Sequence, residues 1–308
     1  MPTRPGVLLT SDLSGFVVAN YDIGEVFDQL AQMVSAIYYR DINQGLRQIM
    51  AATGGQGEGA RPPVDLRKEV LGQLPGPVVI TWRIDKPYTD PASTKILLAI
   101  GVRDGNILNN ALGRIHKTFT APGRKEMTRT MRNITMYLVP SNPLSPITAG
   151  MTGLRAESGK SALAVVGDYF VLGSVNVVEQ AVRNLGRKDL KNITTALMYR
   201  HCQRYLPAQA GVYFYVNGRV SSEAAWTRWK QAAKKRALAN ENPSTSPSRR
   251  ARTPADAFVA RFSKFCDFNK LPDFQAVEKY FGPTIGYVIG TEGGIYAEII
   301  SIKAPLGQ

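Results

Sequence analysis

The chain states one pattern twice, and that repetition constrains its architecture more than any single motif. An early apolar run, Phe16-Val17-Val18-Ala19, leads through Asn20-Tyr21-Asp22 into a helical pattern. A later helix ends at Leu74-Pro75-Gly76-Pro77 before a strand from Val78 to Trp82. In the last third, Val212-Tyr213-Phe214-Tyr215-Val216 leads through Asn217-Gly218 into another helix, and Tyr280-Phe281-Gly282-Pro283 opens a strand from Thr284 to Ile289. Each half reads strand, helix, helix, Gly-Pro, strand. Strand pairs joined by tight turns demand antiparallel ladders. Helices between them predict an α+β fold, its largely antiparallel sheet or sheets covered on one face by helices. The halves divide at 1–206 and 207–308, as two lobes or as one continuous sheet within a single domain.

Local signals fill in the elements. Asp22 and Glu25 have capping-box-like spacing, and Ile23, Val26, Phe27, Leu30, Met33, Val34 and Ile37 follow on one helical face. A second helix starts at Asp41 and stops at Thr53-Gly54-Gly55, and Asp65 caps a third. Gln56 to Pro63 reads as a Gly/Pro loop. Strands are expected at Val78–Trp82, Ile96–Val102 and Ile134–Val139, with a helix capped by Asn106 and a basic loop from Lys117 to Arg132 between them. Pro140 to Gly159 reads as a surface excursion. Leu163–Val166 and Tyr169–Leu172 flank Gly167-Asp168 as a hairpin. Ser174 or Asn176 caps the next helix, and Asn192 starts another with Ile193, Ala196, Leu197 and Leu206 as its buried stripe. A final hairpin pairs Ile285–Ile289 with Ile295–Ile302.

With 308 residues, 44% hydrophobic and 20% charged, the chain has the composition of a globular protein able to bury a large core. No apolar run reaches the length of a membrane span. The opening Val7-Leu8-Leu9 is too short for a signal-peptide core, so the chain reads as cytoplasmic or as a fragment without its upstream part. The formal charge of +14 is concentrated: Lys230, Lys234, Lys235, Arg236, Arg249, Arg250 and Arg252 stand against Glu241 alone between 230 and 252. The Ser/Pro/Arg composition there predicts a flexible basic loop at about 238–255, able to attract a polyanion without sequence preference.

Catalytic constellations fare poorly. Gly153 to Gly159 followed by Lys160-Ser161 resembles a phosphate loop, but five residues separate the glycines instead of four, and a strand follows where a helix is required. His201 is adjacent to Cys202 on a helix, so the two side chains diverge by about 100° and cannot act as nucleophile and base. His201 reads as packed, His116 as solvated at a helix end, and Cys202 and Cys266 as two buried free thiols, with pairing in an oxidising compartment the alternative. Asp85, Asp90, Asp104, Glu292 and Glu298 are explained by turns and solvent faces, and Trp226 with Trp229 by a core-facing helix pair. Asn133 and Asn192 begin Asn-x-Thr triplets, and Asn192 serves better as a cap. No cofactor or metal is expected.

The order of pieces resembles an uncharacterised bacterial family, the domain of unknown function numbered three-three-five-two. The resemblance rests on Asn20-Tyr21-Asp22-Ile23-Gly24-Glu25-Val26, Leu71-Gly72-Gln73-Leu74-Pro75-Gly76, the run Ala164 to Ser174, Leu206-Pro207, and Tyr280-Phe281-Gly282-Pro283. It covers most of the chain and carries no site residues. It implies an exported, envelope-facing protein with a signal or anchor preceding the domain; the partner is left open between an envelope component and, through the basic segment, an anionic polymer. The resulting expectation is a non-enzymatic extracytoplasmic binding or scaffolding protein. A polyanion binder is the rival, using Arg114, Lys117, Arg124, Lys125 and the 230–252 segment. A hydrolase would need the scattered carboxylates to converge.

Overall fold

The computed structural model describes residues 8–38, 42–54, 62–90, 93–119, 127–140, 144, 160–187, 189–241, 254–263 and 265–303. Among these residues the centre is a ten-stranded antiparallel sheet with helices on both faces, an α+β fold. After strand β1 (Gly15–Ala19), Asp22 accepts hydrogen bonds from the amides of Gly24 (2.7 Å) and Glu25 (3.2 Å) and starts α1 (Ile23–Tyr38). Helix α2 (Ile42–Ala51) follows, and Asp65 caps the helical turns Leu66–Val70 and Leu71–Gln73. Strands β2 (Val78–Ile84) and β3 (Thr94–Gly101) come next, then α3 (Gly105–Phe119), β4 (Thr128–Met131), β5 (Ile134–Val139), β6 (Ser161–Val166) and β7 (Tyr169–Ser174). Helices α4 (Val175–Asn184) and α5 (Leu197–Gln203) lead to β8 (Val212–Val216). The long α6 (Gly218–Glu241), then α7 (Pro254–Phe262) and α8 (Phe274–Val277), precede β9 (Thr284–Thr291) and β10 (Gly294–Ser301).

Strand order is β10-β9-β8-β1-β2-β3-β7-β6-β5-β4, so the sheet crosses the 206/207 boundary without a break through the β1–β8 pair. On either side of that pair the registers correspond. Ala19 pairs with Val78, two residues after Gly76, and Val216 pairs with Thr284, two residues after Gly282. Val78 in turn pairs with Ile100, and Thr284 with Ser301. The amide of Gly101 donates to the carbonyl of Pro77 (3.0 Å), as that of Ile302 does to Pro283 (2.9 Å). The closest approach is also matched. A Cβ on Gly76 would lie 2.3 Å from the carbonyl of Tyr21, and one on Gly218 would lie 1.8 Å from the carbonyl of Gly282. The first crossing, Gly76 on Tyr21, has a glycine on one side, and the second, Gly218 on Gly282, has one on both. The entries also differ: Gly76 has φ +85° and a cis bond to Pro77.

The period-two alternation of the strands divides the core between the faces. On one face Phe16, Val18, Val79, Leu97, Ala99, Val171, Tyr215 and Ile285 are buried under α4, α5 and the segment Leu8–Leu13. Phe16, fully buried, lies 5.6 Å from the ring of Tyr199, 6.1 Å from Tyr213 and 5.8 Å from Tyr215, each pair adding about 0.5–1.5 kcal/mol beyond area burial. On the other face Ile100 packs with Leu108 and Leu112 of α3 and with Leu74. Beside them, Trp82, Ile96 and Leu144 form a further cluster. Covering both faces departs from the one-covered-face expectation, because α3 and α6 fall opposite α4 and α5.

Several local expectations are corrected. The cap of α3 is Asp104, which accepts from the amides of Asn106 (2.9 Å) and Ile107 (3.1 Å); two residues of spacing decide which side chain reaches the free amides. Part of the basic loop is strand β4, turned into β5 by Arg132 and Asn133 at φ 49° and 62°. The α1 stripe is not sealed: Leu30 and Met33 are about half exposed, because α1 leans on α2 and the 71–73 turn, which do not cover them. Leu197 is exposed instead of buried. Thr195 and Ala196 close the turn that Asn192 caps, so α5 starts at Leu197 with a new orientation. The histidines exchange roles. His201 is exposed, whereas the His116 ring bonds the Leu138 carbonyl (3.1 Å) and sits 5.3 Å from the ring of Tyr137. Cys202 is buried, but Cys266 is exposed. The loop 56–61, Arg124, Lys125, the excursion 145–159 and Arg249, Arg250 and Arg252 lie outside the described residues.

Candidate functional site

Thr81 and Arg83 of β2 and Lys95 and Leu97 of β3 alternate onto the face that carries α4, since Arg83 pairs with Lys95 and Thr81 with Leu97. Helix α4 presents Asn176, Gln180 and Arg183 toward them, and the segment from Leu8 to Leu13 closes a third side. That segment is fastened at both ends. The Ser11 amide donates to the Lys191 carbonyl (2.8 Å), that of Ile193 to Leu9 (2.7 Å), and that of Ser14 to Trp82 (2.9 Å). Between these walls lies an open cleft of about 580 Å³, within the range of small-molecule sites.

Charge distinguishes the cleft. Arg83, Lys95, Arg183, Arg187 and Lys191 line it against Asp12 and Asp189. Arg83 bridges Asp12 (2.7 Å) and Asp85 (3.0 Å), and Lys95 also reaches Asp85 (2.5 Å). Arg187 holds Asp189 (2.5 Å), and Glu179 is shared by Arg183 (3.0 Å) and Arg129. Burial raises the Asp12 carboxyl, but bonds from Thr10 and Arg83 outweigh it and hold the group below its ordinary value. Burial likewise disfavours the Arg83 cation, yet Asp12 and Asp85 hold its pKa above the usual value. At Asp189 the bond from Arg187 comes first and lowers the pKa. With its ion pairs included, the cluster holds six cations against four carboxylates among the described residues. Amides of Asn176 and Gln180 and hydroxyls of Thr10, Ser11 and Thr81 stand among them. Such a lining can hold an anion through charge-assisted bonds.

A second cleft, about 610 Å³, lies between α1, α2 and the 63–67 segment, with Phe27, Leu46, Met50, Val64 and Leu66 on its walls. Two of its polar groups already serve the fold: Asp65 accepts from the Arg67 (3.0 Å) and Lys68 (3.1 Å) amides, and Arg67 pairs with Asp28.

The other candidates are dispersed. Of the seven basic residues between 230 and 252, Lys230, Lys234, Lys235 and Arg236 lie on α6. Lys230 pairs with Asp273 (3.2 Å) and Arg236 donates to Ser263 (3.1 Å), while Lys234 and Lys235 are exposed. Arg114 is held by Glu69 (3.3 Å), and Lys117 is exposed. Trp226 donates to the Pro272 carbonyl (2.9 Å), and Trp229 stacks on Phe258 at 4.7 Å, so the pair belongs to the packing of α6. Asp85 and Asp104 lie at opposite ends of β3, Glu292 in the β9–β10 turn and Glu298 on the edge strand; these four do not meet. Lys160 and Ser161 run straight into β6, with no helix to receive a phosphate. Among the described residues no His, Cys, Asp or Glu group could hold a metal ion, and no helix is long and apolar enough to cross a membrane.

The cleft was not foreseeable from motifs. Period-two spacing does place Thr81 with Arg83 and Lys95 with Leu97, but pairing β2 with β3 and laying α4 above them needs the tertiary fold. No family model matches the chain, and no curated protein matches it. Solved structures of TP0453 are distantly similar: crystal form I at TM-score 0.38 and 7% identity over 96% of this chain and 77% of that one, crystal form III at 0.36 and 9% over 96% and 78%. Likenesses of that size bear on neither mechanism nor ligand.

Proposed function

We propose that this chain is a binding protein without chemistry of its own, which takes a small anionic molecule into the cleft between Leu8–Leu13, β2–β3 and α4. One observation carries the reading: the surplus of cations among the polar side chains that line a cleft of ligand size. Arg183 and Lys191 are the residues assigned to the anion, because neither is needed to pair Asp12, Asp85 or Asp189. The extracytoplasmic placement rests on the family resemblance, and the correspondence of β1-β2-β3 with β8-β9-β10 supports reading the halves as copies of one ancestral unit. Exporting a reporter fused to the complete coding region would test the placement.

The test of the site is a thermal-shift panel of inorganic phosphate, citrate and heparin against the wild type, Arg183→Gln/Lys191→Gln and Lys234→Gln/Lys235→Gln. The cleft reading expects phosphate or citrate to raise Tm, and the first variant to lose the shift. No shift with either small anion sinks it. The polyanion rival draws on the exposed Lys234 and Lys235. It expects heparin to act alone, with binding that weakens steeply as salt rises and fails in the second variant.

A further inference from the structure

The two edges of the sheet are unlike. One is β4, four residues long, with Thr128, Arg129 and Thr130 exposed, short and polar as protected edges are. The other is β10, eight residues long, which among the described residues pairs only with β9. Ile295 and Ile299 on it are 83% and 70% exposed. A long apolar edge of this kind is a template for another strand.

The sequence of β10 says which strand. The Ile302 amide donates to Pro283, so the even-numbered residues bond inward to β9, and Ile295, Ala297 and Ile299 turn their amides and carbonyls outward. Antiparallel pairing of β10 with itself about Ala297 sets Ile295 opposite Ile299 on one face and Tyr296 opposite Glu298 on the other. Both apolar positions meet apolar partners, and a phenol meets a carboxylate that already accepts from Tyr287. The same register carries Lys303 past the end of the ladder to the Glu292 turn of the other copy, a cation facing an anion twice over, with both residues exposed. A two-fold contact requires a self-complementary patch, and this strand is one.

We propose that β10 pairs antiparallel with β10 of a second copy of this chain about Ala297, giving a two-fold dimer with one sheet continuous through both copies. Light scattering after size exclusion, on the full chain at about 5 and 100 µM, tests it. The expected result is a dimer at the higher concentration that becomes a monomer in Ile295→Lys/Ile299→Lys, with the circular dichroism unchanged because both side chains lie outside the core. Register is read separately by Ala297→Cys in a Cys266→Ser background. Its self-pair would have Cα atoms about 5.5 Å apart, within disulfide range, so mild oxidation should yield a covalent dimer. A monomeric wild type at 100 µM overturns the proposal and leaves the edge to a strand of another protein. A dimer that survives the double lysine change, or no cross-link at 297, overturns it as well.

Discussion

Gly218 touches Gly282 backbone to backbone: a Cβ on Gly218 would lie 1.8 Å from the Gly282 carbonyl oxygen. The start of α6 therefore sets how close the Gly-Pro entry of β9 can come to β8. Gly218→Ala must push these elements apart, at a cost of about 1–3 kcal/mol. Gly45 in α2 is the contrast, with nothing within 4 Å of its Cβ position. Gly45→Ala should stabilise by about 0.5–1 kcal/mol through helix propensity alone. Urea melts of the two variants should move in opposite directions; a shift of the same sign in both would remove the packing argument.

Asp12 should make stability depend on acid. Its folded pKa lies below the ordinary value, so its contribution is full above the unfolded pKa of about 3.9 and disappears as pH falls through the folded value. The carboxylate is 52% exposed, so water screens the pair and the contribution stays below about 1 kcal/mol. Asp12→Asn should lie below wild type at pH 6–7, with the gap closing below pH 4. Denaturant midpoints across that range report it, and a gap that grows on acidification would contradict the assignment.

Arg228, 6% exposed, ties α6 to the β2–β3 connection. Its Nε donates to the Tyr88 carbonyl at 2.8 Å, and Nη2 lies 3.2 Å from the Thr94 hydroxyl and 3.4 Å from that of Ser93. Tyr88 returns a bond to Glu223 on the same helix (3.0 Å). Truncating Arg228 to Ala strands these buried acceptors, costing about 2–4 kcal/mol. Arg228→Lys should recover only part, because one ammonium cannot reproduce the planar fork. Limited proteolysis within 87–94 should quicken in both. Unchanged cleavage would show that α6 is not what holds this connection.

Features decided within a few residues were legible in the chain: the Gly167-Asp168 turn, the caps at Asp22 and Asn192, and the Gly-Pro strand entries. So was the α+β class, since tight turns between strands force antiparallel pairing. The β4–β5 hairpin was not, because Arg132-Asn133 lacks the glycine that marks such a turn. The exposure of Leu30, Met33 and Leu197 escaped for another reason: helical period shows which residues share a face, not whether anything covers it. The same gap hid the cleft. Asp12 and Arg83 are 71 positions apart, and only the crossing of the N-terminal segment over β2 brings them together.

The cysteines give the last prediction. Burial pushes the Cys202 thiol up to about 11, and the group is fully enclosed, while Cys266 is exposed. At pH 8 the buried thiol is thiolate in only about one molecule in a thousand, and no reagent reaches it while the fold is closed. Titration with a chromogenic disulfide should count one fast thiol per chain in buffer and two in guanidinium. Cys266→Ser should abolish the fast phase and leave the slow one, whose rate then reports opening of α5 from the Phe16 and Tyr215 cluster. Two fast thiols in the native protein would mean that α5 does not stay packed on the sheet.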